Sequence, residues 1–131
     1  MRQEDVTFVV AGPVITLNGE KVTENLICDL NTQFPLSKVI LTTWNGEKLP
    51  ANGKYHPVVS NDPGTLEVVG LIGVNAWRMI YSMQQAIEVT DTRYLFRLRS
   101  DMLISKRLFT KLMKYHPNSD KITIFWHSAP F

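Results

Sequence analysis

The stretch "YLFRLRSDM" (94–102) sets Arg97, Arg99 and Asp101 two residues apart. Residues two apart in an extended chain share a face, so these three line one side of a strand whose other side is Tyr94, Phe96 and Leu98. An arginine presents a planar fork that matches a phosphate, and an aspartate is an oxygen ligand for a hard divalent cation. A phosphorylated ligand suits both. The plain structural alternative is an Arg–Asp pair at a sheet edge, with Arg97 extending its head to water. A strand covered on both faces disfavours that alternative, because an unpaired buried charge costs on the order of several kcal/mol. The charged groups therefore belong at the strand's end, facing a polar ligand or ion.

Other residues offer related chemistry. Seven of the 14 Lys and Arg residues fall between Arg93 and Lys114, with Asp101 as the one acid inside that stretch, a local field suited to an anion. Lys111 and Lys114 read as a solvated helix face. Asn75, Arg78, Ser82 and Gln85 form a polar stripe on a helix beginning near residue 75. Asn75 and Arg78 occupy its first turn, where free N–H groups attract anions; Ser82 and Gln85 read as solvent-facing. "SNDPG" (60–64) is a turn signature, with Asp62 contacting a ribose or base as the minority reading. Trp44 is expected in the core rather than stacked on a base. His56, His116 and His127 sit near prolines and read as structural, and Cys28 reads as packing rather than half of a Cys–His pair.

Alternating elements must position these groups. Strands are expected at 6–12, 38–44, 56–62, 94–102 and 121–126, with helices at 23–34, 75–89 and from Ser105 onward. Ala76, Ile80, Met83 and Ile87 are the expected inward stripe of the middle helix. Such alternation implies an α/β fold, Rossmann-like, with a mostly parallel sheet of about five strands and helices on both faces. Ligands of such sheets bind beyond the carboxyl ends of the strands. Gly12-Pro13, Trp44-Asn45, Asn61-Asp62 and Arg99-Ser100-Asp101 all fall at those ends.

The 131 residues fit one domain, and 44% hydrophobic content fits a globular one. The apolar runs are strand-sized, so no transmembrane span is expected, and no signal peptide is visible. A single cysteine excludes an internal disulfide and a cysteine-rich zinc site. No G-x-G-x-x-G, P-loop, G-x-S-x-G or H-E-x-x-H motif occurs.

Five stretches in order, "VTFVVAGPV", "FPLSKVILTTWNGE", "VVSNDPG", "NAWRMIYSMQQAI" and "YLFRLRSDM", resemble the WavE-type lipopolysaccharide-synthesis family, glycosyltransferases of the GT-A type. The resemblance implies a nucleotide-sugar-binding half domain that serves bacterial surface-polysaccharide assembly. Gly12 and Pro13 would border the nucleotide, Asp62 would approach base or ribose, and Asn75 and Arg78 would help hold the nucleotide. The Asp-x-Asp triplet that many GT-A enzymes use to hold Mg²⁺ or Mn²⁺ reads Arg99-Ser100-Asp101 here. Either Asp101 holds a cation, or Arg99 neutralises the diphosphate instead. The implied partners are a nucleotide-sugar donor and a glycan or lipid-linked acceptor, with no nucleic acid. The implied location is the cytoplasm, with association at the inner face of the membrane open. The chain reads as a fragment of a longer protein, lacking the acceptor-binding half, and no catalytic base is identifiable. The rivals are a non-catalytic nucleotide- or protein-binding module and, on a poor loop match at "AGPVITLNGEK", a nucleotidyltransferase.

Overall fold

A computed structural model describes residues 2–64, 66–68, 71–74, 76–105, 110, 111 and 114. A 3-10 turn (Gln3–Asp5) leads into β1 (Val6–Ala11), and the short β2 (Thr16–Leu17) and β3 (Glu20–Lys21) precede α1 (Val22–Gln33). There follow β4 (Lys38–Trp44), β5 (His56–Ser60), β6 (Leu66–Val68), β7 (Leu71–Val74), α2 (Ala76–Val89) and β8 (Tyr94–Arg99). The main sheet has four strands in the order β5-β4-β1-β8. Every pairing in it is parallel, with Val6 to Ala11 opposite Tyr94 to Arg99 on one side and Thr7 to Ala11 opposite Lys38 to Thr42 on the other.

The apolar runs form strands because both sheet faces are covered. All six residues of β1 are buried. On one face Val6, Phe8, Val10, Val39, Leu41 and Leu98 pack against Leu26, Ile27 and Leu30 of α1 and against Phe34 just beyond it. Phe8 and Phe34 meet with ring centroids 4.8 Å apart. Glu24, buried on α1, accepts backbone N–H bonds from Ala51 (2.8 Å) and Asn52 (3.1 Å), which pins the loop after β4. The Asn52 bond, ahead of the others, holds that carboxyl below its usual range.

On the opposite face Val9, Ala11 and Ile40 pack against Ala86 of α2, with Met83, Val58 and Leu95 partly buried beside them. Here the helix is turned relative to expectation. Ser82 and Ala86 are its buried residues, whereas Ile80 and Ile87 are 51% and 59% exposed. Small side chains at 82 and 86 let the helix backbone sit close to the sheet, and that close contact outweighs the burial of larger residues elsewhere on the helix. Ser82 is therefore not solvent-facing.

Two antiparallel ribbons were not anticipated, β2–β3 and β6–β7. The first turns through Asn18 and Gly19, whose φ angles of 51° and 77° match the two-residue left-handed turn that hairpins favour. The strand expected at 121–126 lies outside the described residues. Of the helix expected after Ser105, Thr110, Lys111 and Lys114 are described, and all three are helical.

Phe8 touches both Phe34 and Phe96 at the centre of the larger core. Phe8→Ala is expected to cost about 3–5 kcal/mol. Urea unfolding should show this as a lower midpoint with an unchanged slope.

Candidate functional site

The site begins where β1 ends. From β1 the chain leaves toward β4 through α1 on one face, and from β5 it returns to β8 through α2 on the other, so connections diverge between β1 and β8. That divergence opens a crevice at the carboxyl edge of a parallel sheet.

Local contacts fix the two loop ends against each other. Beyond the last paired residues, Ser100 N–H donates to Ala11 O (3.0 Å) and Gly12 N–H to Thr42 O (3.1 Å). Gly12 has φ of +129°, and a Cβ on it would lie 2.7 Å from Ser100 Oγ. Only glycine fits there without displacing Ser100. Thr23, fully buried in the first turn of α1, joins both loops: its hydroxyl accepts Ile15 N–H (2.8 Å) and donates to Ser100 O (2.9 Å). Glu47 accepts Val14 N–H (3.3 Å) and ties the same loop to the turn after β4.

The resulting cleft has a volume of about 720 Å³. Gly12, Pro13, Asp62, Arg78, Arg99 and Asp101, six of the residues singled out from the sequence, line it together. Asn75 lies outside the described residues. Trp44, Met79, Ser82 and Arg97 also line it. Trp44 is therefore at the cleft wall, 6.4 Å from the Tyr81 ring and nearly parallel to it, rather than in the core. The signal for Arg97 was present: it shares the strand face of Arg99.

Three guanidinium groups and two carboxylates meet in this cleft, Arg78, Arg97 and Arg99 against Asp62 and Asp101. Arg78 grips Asp62 with both prongs, Nε to Oδ1 at 2.7 Å and Nη2 to Oδ2 at 2.8 Å. The Arg78 hydrogen bond, ahead of the Gly64 N–H that also donates to Oδ1, holds the Asp62 carboxyl below its usual range. The same bond raises the Arg78 pKa. Arg99 Nη2 donates to Asp101 Oδ2 at 2.8 Å. Asp101 Oδ1 and Arg97 Nε are buried with no hydrogen-bond partner. Burial lowers the Arg97 pKa, and the neighbouring charge of Arg99 adds to that.

A second hollow of about 980 Å³ lies at the opposite, amino-terminal edge of the sheet, beside Thr7, Lys38 and His56. Of its two lysines, Lys38 and Lys54, the first is already held by both oxygens of Asp91 (2.6 and 2.7 Å). Its thiol, Cys28, is pushed up by burial and by the charges of Glu24 and Asp29, the reverse of what an activated nucleophile needs. The carboxyl-edge cleft carries the stronger chemistry, although it is the smaller.

These features define a class, the doubly wound α/β domain, here with a polar crevice at its switch point. The chain belongs to the WavE lipopolysaccharide synthesis family, whose model matches residues 6–128. The family's name ties the chain to lipopolysaccharide synthesis, a bacterial process. No curated protein and no solved structure gives a match. Among the described residues no helix is long and apolar enough to cross a membrane, and no group of three or more His, Cys, Asp or Glu side chains is placed to hold a metal ion.

Thr23→Val keeps the shape of the side chain but strands Ile15 N–H and Ser100 C=O. It is expected to destabilise the fold by about 2 kcal/mol, measured by urea unfolding. Asp62 tests the site's electrostatics through pH. Its folded pKa is depressed, so its contribution is complete above the ordinary carboxylate value and is lost as pH falls through the depressed one. The difference in melting temperature between wild type and Asp62→Asn should be full at pH 7 and shrink below about pH 4.

Proposed function

We propose that the chain is the nucleotide-sugar-binding part of a glycosyltransferase acting in bacterial lipopolysaccharide or related surface-polysaccharide synthesis. One observation carries this reading: three arginines converge on the switch-point crevice of a parallel sheet in a chain of the WavE family. In the reaction an acceptor hydroxyl oxygen bonds to the anomeric carbon of the sugar. The bond from that carbon to the diphosphate oxygen breaks, its electron pair leaves with the diphosphate, and the hydroxyl proton passes to a base. The work of this half is to orient the donor and to stabilise the negative charge growing on the departing diphosphate.

Roles follow from position. Arg99, at the tip of β8, is the group nearest in kind to a diphosphate clamp, since its partner Asp101 is exchangeable and its side chain is exposed. Gly12 and Pro13 form the floor that lets a ligand approach the backbone. Trp44 offers an aromatic wall for a nucleobase, and Asp62 and Arg78, already joined, line the same cleft.

Fold relatives of this type commonly place Mg²⁺ or Mn²⁺ against the diphosphate. The residues here do not fit such an ion. Asp101 is the one carboxylate at the tip of β8, one of its oxygens is taken by Arg99, and the other carboxylate of the cleft is clasped by Arg78. Three guanidinium groups would repel a dication that lacks enough oxygen donors to offset them.

Isothermal titration with ADP, CDP, GDP and UDP and their sugar derivatives tests the reading. At least one should bind, and Arg99→Gln should weaken it about tenfold to a hundredfold, the range of a charge-assisted hydrogen bond. Binding of none of them would end the nucleotide reading and favour a protein-binding module. The exposed Trp77, Ile80 and Ile87 on the outer side of α2 give that module a plausible surface.

A further inference from the structure

Two side-chain atoms in the cleft are buried without a partner, and they have opposite polarity. One is a donor, Arg97 Nε, and the other an acceptor, Asp101 Oδ1. Buried polar atoms are ordinarily satisfied, so a native pair left open beside a cleft marks where a ligand completes the bonding. A ligand that satisfies both must bring an acceptor to the guanidinium and a donor to the carboxylate. A phosphate ester of a polyol does so, with phosphate oxygens at Arg97 and a hydroxyl at Asp101.

Charge points the same way. Asp62 is committed to Arg78, and Asp101 gives its other oxygen to Arg99. Three arginines against two aspartates leave one positive charge in excess, and the residue without a described counter-ion is Arg97. It stands opposite Val9 in the register of β1 and β8, one step in from Arg99 on the same face. Ala11, Gly12 and Ser82, all small, line the cleft together with it. The Ser82 hydroxyl donates to Met79 O (3.0 Å) within its own helix. An arginine held part-buried beside a second arginine is an unfavourable arrangement that an anionic ligand relieves.

Building on the diphosphate reading above, we infer that this cleft neutralises its phosphorylated ligand with the Arg97 guanidinium, and with Arg99 released from Asp101, and not through a divalent cation. Asp101 then serves as acceptor for a sugar or ribose hydroxyl. Arg97 supplies fixed positive charge to the cleft and needs no free oxygen ligands from the protein to do so.

The test is calorimetric titration of the chain with inorganic pyrophosphate and with ADP, CDP, GDP and UDP, each in EDTA and again in excess Mg²⁺ or Mn²⁺. The inference expects affinities equal within about threefold in the two conditions. A loss of tenfold or more in EDTA overturns it and leaves the glycosyltransferase reading standing, whereas no binding in either condition removes both. Arg97→Gln is expected to lose tenfold or more in pyrophosphate affinity, with part of the loss restored by Arg97→Lys. Wild-type affinity in Arg97→Gln overturns the assignment. If Arg97→Gln does not fold, the wild-type comparison with and without metal still decides. Asp101→Asn frees Arg99 and should bind pyrophosphate several-fold more tightly. A tenfold weaker affinity would mark Asp101 as a metal ligand and overturn the inference.

Discussion

The tips of β1 and β8 lie in contact because residue 12 has no side chain. Gly12 at positive φ brings its backbone against Ser100, whose own amide continues the ladder onto Ala11. With a Cβ at that position the two strand ends would be pushed apart, and the loop that begins at Pro13 would leave in another direction. Thr23 then converts that contact into a fixed angle, because one hydroxyl binds the loop after β1 and the loop after β8 at once. The helix that covers one sheet face therefore also sets the width of the crevice at its edge. Packing of α1 and geometry of the site are a single constraint.

The other face supplies the charge. β8 is amphipathic in an unusual sense: Tyr94, Phe96 and Leu98 join the core under α1, while Arg97 and Arg99 emerge on the side of α2. Because α2 approaches through Ser82 and Ala86, it leaves space at the carboxyl edge that large apolar residues would have filled. That space is the cleft, and its wall carries Arg78, from the first turn of the same helix. The ion pairs within it are part-exposed and exchangeable, so its charged side chains are arranged by weak surface pairs rather than by buried ones.

Much of this was legible in the residues. Lys38–Trp44 has the bounds expected and β1 ends one residue early, since both apolar runs satisfy a two-sided burial that no other element type would, and α1 lies one residue earlier than expected at both ends. The charged end of β8 was readable from spacing alone, as was the placing of Gly12, Asp62 and Arg99 at strand ends, whereas the Arg99–Asp101 pair is the arrangement that a strand covered on both faces had disfavoured. What misled was the middle helix. Its large apolar residues suggested an inward stripe, but approach distance, set by the partner sheet, favoured Ser82 and Ala86, and no local pattern encodes that preference. Trp44 was misplaced for a similar reason, because a tryptophan at a strand end reads as core until the crevice beside it is known. The β2–β3 ribbon had its Asn-Gly signal in plain view, between flanks too short to read as strands.

The Thr23 hydroxyl and the Ser100 carbonyl are separated by 77 positions along the chain. The β1–α1–β4 unit closes through near neighbours, whereas the crevice exists only after β8 has travelled back across β4 to the far side of β1. Loop-closure entropy makes such a late, distant pairing slow to form. Any opening that detaches β8 removes the crevice even while the first strands and their helix are still assembled. A molecule seated between the two strand tips would brace that seam, and the chain's resistance to sub-global opening would then report directly on occupancy.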